Sequence, residues 1–563
     1  MLNAFEYKVI QSICELYPET HPSQIVFEKP KQVEHGDIAL NIAMVLAKTL
    51  KSNPQKIAQE IKIRLLQLDE INRIEIAGPG FINVFLKLSE ITKFTQQLAT
   101  DPVHVFPQPL QTMPRVYLEF VSANPTGPLH VGHGRSAVIG KALERLLKKC
   151  HYTVTSAYYV NDAGTQIDTL TCSVILRMIP EANFHSTCYQ GDYIQSIANN
   201  APAIDPVAAK SIIMASNTWA SLEPEEGQKQ LIIDIQKHIA QEQYQSLKTL
   251  CIAEILASIK QDLSELEIDY DEWFSESTLL KSDQVTQAIE QLEKNHMLYA
   301  KDGAQWFKSS ELGDTKDRVI IRSNGQHTYF LNDIAYHEYK YQNHDQVINL
   351  MGSDHHGYGP RLRAAKNALN HADKILTMKY IQFAILWKNG EKLPMSTRQG
   401  QYTTLKALCD EVGPGPTLFF YALKKPDQHL DFDMDLAKKQ SSDNPYYYVQ
   451  YAHARISQLL KKASWQLSDD LSQLTQPSER QMMNQLIHFN TTLSRATRDL
   501  EPHQICFYLM DLSKFFHQYY NDTPILKDPN QSLINARLTL LKATANILSE
   551  GLSLLGIKAV ESM

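Results

Sequence analysis

Residues Glu119–Arg135 read EFVSANPTGPLHVGHGR, and the contrast between the two flanks of this stretch sets the architecture. Upstream, Val116–Val121 is a short apolar run of the kind carried by a strand buried on both faces. Downstream, Val138, Ile139, Leu143, Leu146 and Leu147 recur at helical spacing. Between them lies a loop with two prolines, three glycines and two histidines. A strand that feeds a glycine-containing loop and opens a helix is suited to phosphate, because backbone N–H groups and the positive end of the helix dipole point at the loop. His130 and His133, with Gly132 between them, can approach a nucleotide phosphate and hydrogen-bond to charge that builds on phosphorus during displacement. A lone His-x-Gly-His is short enough to arise by chance; its strand–loop–helix setting is what favours phosphate chemistry. Zinc is the third reading, but it needs three or four ligands. The nearest cysteine, Cys150, has no cysteine partner nearby, so no metal site is expected.

The chain around this stretch is long and mixed. Its 563 residues exceed one core and predict several domains. Hydrophobic content of 43% and charged content of 21% are those of a globular protein. No apolar run approaches the ~20 residues of a membrane helix. The amphipathic start, MLNAFEYKVIQSICELYPE, lacks the basic start and cleavage site of a secretion signal. Seven scattered cysteines without a Cys-x-x-Cys pair point to reduced thiols in the cytoplasm. A net charge of −7 leaves any nucleic-acid binding to local basic patches.

The expected fold class is multidomain α/β: a doubly wound Rossmann-like catalytic domain with a helical insertion, a small N-terminal α+β domain and a C-terminal α-helical bundle. Residues 1–100 form the first domain, with helices at Asn41–Leu50 and Pro54–Leu66 and two strands in Ile74–Leu86 around Ala-Gly-Pro-Gly. Residues 101–114 serve as linker and 115–409 as the catalytic domain. Thr153–Val160 is its second strand, and strand–helix–strand is the unit of a doubly wound sheet. Residues 168–268 read as amphipathic helices inserted into that sheet. Arg318–Arg322 and His327–Leu331 flank Asn-Gly and predict a hairpin. Val347–Met351 is a strand ending in Gly-Ser-Asp-His-His-Gly, where doubly wound sheets bind ligands; solvated loop histidines are the competing reading of His355 and His356. Ile381–Trp387 predicts a strand before the basic loop KLPMSTRQGQYTTL, which suits closure over a triphosphate. Residues 410–563 predict helices, with aromatic and cationic side chains in NPYYYVQYAHAR and CFYLMDLSKFFHQYYND. Such side chains serve unstacked RNA bases, and they also pack helical bundles.

The stretch Glu119–Arg135 resembles the signature loop of class I aminoacyl-tRNA synthetases. Together with YYVNDAGTQI (Tyr158–Ile167) it resembles the arginyl-tRNA synthetase family. GDIALNIAMVLAK and AGPGFINVFL resemble that family's N-terminal, tRNA-contacting domain. NPYYYVQYAHARI, LDFDMDLA and LSEGLSLLGI resemble its anticodon-binding domain. The resemblance implies an ATP-dependent ligase that activates L-arginine and transfers it to tRNA(Arg), using ATP and Mg²⁺, cytoplasmic, monomeric and free of membrane. It implies His130, His133, Ser396 and Arg398 as the catalytic set. Pro128, Gly132, Asp354, His355, His356, Gly357 and Met395 would hold ATP. Glu119, Asn124, Tyr329, Asp333 and His355 would hold arginine, with Asp333 and Tyr329 facing the guanidinium. A helix N-cap is the competing reading of Asp333. Tyr448, Tyr451, Arg455 and Phe516 would contact tRNA. The second signature departs from the family's Lys-Met-Ser-Lys: Pro394 and Thr397 stand where lysines would, and Gly127 stands where some relatives place a substitute. Lys392 and Arg398 are both candidates to replace that charge. A synthetase of another specificity and a non-catalytic RNA-binding relative remain the alternatives.

Overall fold

The computed structural model describes residues 2–30, 33–106, 113–393, 395–396 and 401–563. Residues 107–112 of the linker at 101–114 therefore lie outside the described residues, as do Pro394, Thr397 and Arg398. The chain forms two compact units. One comprises Met1–Thr112, Arg145–His151 and Lys439–Met563, the other Met113–Glu144 and Tyr152–Lys438.

The second unit is built on a five-stranded parallel sheet. Its strands are β1 (Arg115–Glu119), β2 (Thr153–Val160), β3 (Glu272–Ser275), β4 (Gln346–Gly352) and β5 (Ile375–Ile381), in the order β5-β4-β1-β2-β3. Val116, Tyr117 and Leu118 are fully buried, as a strand covered on both faces requires. Helix α1 (Val131–Lys149) joins β1 to β2, and α2 (Thr165–Arg177) opens the helical insertion, whose core gathers Cys172, Ile175, Trp219, Leu231 and Leu247. Helix α3 (Tyr329–Asn343) precedes β4, and α4 (Tyr358–Ala368) links β4 to β5.

Four expectations are corrected here. Strand β1 stops at Glu119 rather than Val121, because Val121 and Ser122 take left-handed backbone angles, φ 68° and 43°. The hairpin at 318–331 is cut short. The Asn324-Gly325 turn closes, with Arg322 N–H donating to the Gln326 carbonyl at 2.9 Å, but only Ile321 and His327 then pair before α3 begins. Arg318–Ile321 instead pairs antiparallel with Ala304–Phe307. The strand expected at 381–387 is interrupted, since β5 ends at Ile381 and a separate strand runs Ala384–Lys388. Finally, Leu430–Asp433 is a strand paired in parallel with Ala384–Lys388, inside the catalytic unit rather than in the helical bundle.

In the first unit a four-stranded antiparallel sheet orders Phe27–Glu28, Ile38–Leu40, Phe81–Leu86 and Ile71–Ala77. It packs in one body with the helices Pro445–Lys462, Pro477–Asp499, His503–Asp522 and Gln531–Leu554. Buried Asp37 makes the connection: it accepts from Leu86 N–H at 2.7 Å, from Asn484 at 2.8 Å and from Arg480 at 3.3 Å. Glu479 and Arg537, both buried, pair at 2.9 Å inside the bundle. Among the described residues no helix is long and apolar enough to cross a membrane.

Candidate active site

Strands β1 and β4 are neighbours, with Val116 opposite Gln346 and Glu119 opposite Asn349. The chain leaves β1 for β2 on one side and later fills β4 and β5 on the other, so a topological switch point lies between β1 and β4. Ligands of doubly wound sheets bind in the crevice beyond the carboxyl ends at such a point. Two sequence-predicted groups rise from these ends, the signature loop after Glu119 and Ser353–Gly357 after β4.

The turn at Val121-Ser122 is strained, and positive φ in a β-branched residue costs about 1–3 kcal/mol. Three hydrogen bonds hold it: Val121 N–H to Ser136 at 3.3 Å, Ser122 hydroxyl to Glu119 at 2.8 Å, and Tyr159 N–H to the Ser122 hydroxyl at 3.1 Å. Helix α1 opens at Val131, which puts His133 in its first turn rather than in the loop. His130 folds back so that its Nδ1 accepts from the N–H groups of Gly132 at 3.0 Å and His133 at 3.4 Å. A Cβ on residue 132 would stand 2.8 Å from the His130 ring, so glycine is required there. The two rings stack with centroids 3.6 Å apart. Burial lowers the His130 pKa, and burial together with the neighbouring His130 lowers that of His133 to about 3. Both are neutral near pH 7, and an Nδ1 that accepts leaves the proton of His130 on Nε2 as a donor.

The second signature is anchored beside the first. Val131 N–H donates to the Thr403 carbonyl at 3.3 Å, Leu405 N–H to Leu129 at 2.8 Å, and the Tyr421 hydroxyl to Val131 at 2.8 Å. Met395-Ser396 pairs with Gln401-Tyr402, which brings the backbone of the two predicted residues into this hairpin; Arg398 lies outside the described residues. Lys392 is exposed on a two-residue strand paired with Trp387-Lys388. Arg135, fully buried, donates to the carbonyls of Gln382 and Gln428 at 2.7 Å and of Lys425 at 2.8 Å.

Beyond β1 a second set of side chains converges. Glu119 accepts from the buried ammonium of Lys340 at 2.5 Å. Lys340 also donates to Asn349 at 3.1 Å, and the Asn349 amide meets His337 Nε2 at 2.8 Å. Asp333 is the fifth residue of α3, and Thr328 occupies the capping position, so the N-cap reading of Asp333 is overturned. The Asp333 carboxyl is pushed up to about 7 by burial, then by Glu119; Lys340 opposes this and Glu276 adds to it. Glu276 is buried and accepts from Asn332 at 3.0 Å; burial raises its pKa too. Burial and the carboxylates of Glu276, Asp333 and Glu119 push the Tyr159 hydroxyl upward. Tyr329, 61% exposed, carries its hydroxyl over Gly164. Asn124 donates to Gln166 at 2.8 Å. Asp354 and His355 are partly exposed with 3.5 Å between them, and the His356 ring lies 4.0 Å from that of Tyr380. Pro128 and Gly357 belong to the two loops.

Sequence reasoning missed Lys340, Glu276, Arg135, Tyr159 and Asn349. Asp333 and Lys340 sit seven apart, two turns on one helix face, and that spacing could have been read. Glu276 carries no local signal, because only the fold brings it to α3. Among the described residues no group of three His, Cys, Asp or Glu side chains could hold a metal ion.

In the helical bundle, Tyr451 is 46% exposed, and the Arg455 guanidinium lies 5.6 Å from its ring and 4.8 Å from that of Tyr520. Tyr451, Arg455, Lys462, Tyr520 and Met563 line a cavity of about 240 Å³. Tyr448 packs its ring 4.8 Å from His517. Phe516 is fully buried, which corrects its expected role: core packing, not base stacking, accounts for it.

Three family models match the chain: the arginyl tRNA synthetase N terminal domain over residues 3–86, the class I (R) tRNA synthetase catalytic domain over 104–414, and the DALR anticodon binding domain over 449–563. The arginine–tRNA ligase of Nitrosospira multiformis is 42% identical over 552 residues, covering 96% of this chain and 94% of the relative. That of Legionella pneumophila is 38% identical, covering 96% and 95%. The crystal structure of a putative arginyl-tRNA synthetase from Campylobacter jejuni superposes with TM-score 0.71 at 31% identity, over 85% of this chain and 100% of that one. The arginyl-tRNA synthetase of Thermus thermophilus shares the fold at TM-score 0.79 and 22% identity, over 100% of each chain. With three domain models in register and relatives matched along nearly its whole length, this chain belongs to the arginyl-tRNA synthetase family.

Proposed function

We propose that the crevice between β1 and β4 performs both steps of arginine–tRNA ligation, the activity of the family. A carboxylate oxygen of arginine attacks the α-phosphorus of ATP, and the bond to the β-phosphate oxygen breaks to release pyrophosphate. A ribose hydroxyl of the tRNA 3′ end then attacks the adenylate carbonyl, forming the ester, releasing AMP and giving up its proton. Such chemistry is mainly positioning and charge stabilisation. His130, through Nε2–H, and His133 donate to the α-phosphate as its charge redistributes. Ser396 and Arg398, with Lys392, attend the β- and γ-phosphates. Pro128, Gly132, Met395 and Asp354–Gly357 border the nucleotide. Mg²⁺ would accompany ATP as part of that substrate.

Asp333, with Glu276 beside it, receives the guanidinium, and Tyr329 covers it. Glu119 and Asn124 hold the α-ammonium; each oxygen of Glu119 already accepts one hydrogen bond and keeps a lone pair for another. The observation that carries this reading is the gathering of three carboxylates, Glu119, Glu276 and Asp333 itself, with the Asp333 carboxyl pushed up to about 7 by burial and by Glu119. Tyr451 and Arg455 offer a stacking platform for an anticodon base. The protein works as a cytoplasmic monomer on this reading. Arginine-dependent exchange of labelled pyrophosphate into ATP, with and without tRNA(Arg), tests it. Exchange that His133→Ala lowers at least 100-fold while tRNA binding is kept supports the assignment. No exchange under either condition, with tRNA bound, would make the chain a non-catalytic relative.

A further inference from the structure

We propose that Lys340 is a positioning residue that sets the charge of the amino-acid pocket: by neutralising Glu119 it leaves three carboxylates and one ammonium, a net −2 that matches the two cations of arginine. The inference rests on the assignment of the guanidinium to Asp333. Lys340 is fully buried, and its ammonium donates to Glu119 at 2.5 Å and to Asn349 at 3.1 Å. It lies 4.1 Å from the centre of the Tyr336 ring and 5.5 Å from that of Tyr117. The oxygen and ring partners around this ammonium all come from the sheet or from α3, so it cannot swing out to meet substrate. It acts through Glu119 and Asp333.

The groups facing Asp333 come from every neighbouring element. Glu119 approaches from β1, Tyr159 from β2, Glu276 from the helix Glu276–Lys281, and Tyr358 from α4 with Arg361 over its ring at 5.2 Å. His337, Tyr336 and Lys340 come from α3 itself; His337 Nδ1 lies 2.7 Å from the Asp333 carbonyl and burial keeps it neutral. Of these, Lys340 is the cation that opposes protonation of Asp333; Lys340 also faces Glu272 of β3, whose carboxylate lies outside this set of three and accepts from the hydroxyls of Tyr117 at 2.9 Å and Tyr339 at 2.7 Å. Three carboxylates so close cannot all ionise without compensation. With Lys340 present, an incoming guanidinium completes the neutralisation and Asp333 gives up its proton. Without it, Glu119 and Glu276 both press on Asp333, and arginine must displace a proton held more tightly. A neutral side chain such as that of citrulline would leave the pocket uncompensated, so the same balance favours arginine.

The test measures aminoacylation kinetics from pH 6.5 to 9 for the wild type, Lys340→Met and Asp333→Asn, together with the proton count on arginine binding by calorimetry in two buffers of different ionisation enthalpy. The wild type is expected to release part of a proton on binding at pH 7, with arginine KM falling as pH rises through 7. Lys340→Met should raise arginine KM about tenfold at pH 7, leave ATP KM within twofold, and narrow the gap to wild type toward pH 9. A purely structural loss would instead raise both KM values or lower kcat at every pH. If Lys340→Met keeps the wild-type arginine KM and pH profile while Asp333→Asn loses arginine, the inference fails and the guanidinium assignment stands. If Asp333→Asn keeps the wild-type arginine KM, that assignment itself fails. Wild-type calorimetry showing no proton release overturns the inference without any variant having to fold.

Discussion

His133 shows how one residue's surroundings select its chemistry. It sits in the first turn of α1, stacked on His130, and burial holds its pKa at about 3. A histidine so depressed binds a proton in the unfolded chain from pH 6.5 downward but not in the folded one. The unfolded state then carries more protons, so stability must fall as pH drops from about 6.5 toward 3. Replacing His133 with Asn should remove about 1 kcal/mol of the loss that urea unfolding records between pH 7 and 5.5. An unchanged loss would mean that this imidazole titrates normally. Burial of the stacked pair keeps both rings neutral near pH 7, so on the proposed function they would meet ATP as donors rather than as cations. Phe516 makes the opposite point: an aromatic beside His517 and Lys514 looks like a base-stacking group in one dimension, yet its ring is wholly inside the bundle.

At the scale of elements, the two signatures are one construction. Backbone hydrogen bonds join residues 129–131 to 403–405, and Arg135 ties α1 to the ends of the segments that flank the Ala384–Lys388 and Leu430–Asp433 strands. Changing Arg135 to Leu would leave three partly buried carbonyls without their donor and should destabilise the protein by about 2 kcal/mol. Because those carbonyls flank the strand Ala384–Lys388, which leads into the second signature, and its parallel partner, pyrophosphate exchange should fall at least tenfold through ATP, with arginine KM little changed. An equal rise in both KM values would refute that division. The strand Leu430–Asp433 was illegible in sequence as part of this region. Its alternation is short, and its parallel partner lies more than forty residues away.

On the scale of the whole molecule, the amino-terminal sheet and the carboxy-terminal helices share one compact unit although most of the chain separates them. Asp37 is central to that union, buried and bound to Arg480, Asn484 and the Leu86 amide. Asp37→Ala leaves those donors unpaired, and should lower the free energy of unfolding by about 2–3 kcal/mol in urea titrations. If the midpoint does not move, the two segments hold together without it. Lys29 and Asn546 add further cross-links, to Gln485 at 2.6 Å and to the Leu98 carbonyl at 2.8 Å.

The sequence by itself determined the parallel strand, the glycine loop and the helix that follows, because burial on both faces, glycine chemistry and helical periodicity are local properties. It also offered His130 and His133 as candidates from their loop, and Glu119 and Asp333 through the family resemblance. Tertiary structure alone decided which carboxylates meet. Glu119, Glu276 and Asp333 stand on three separate elements, and Lys340 reaches Glu119 across more than two hundred residues of chain. The charge of a pocket is a sum over neighbours in space, and Coulomb interactions take no account of sequence order.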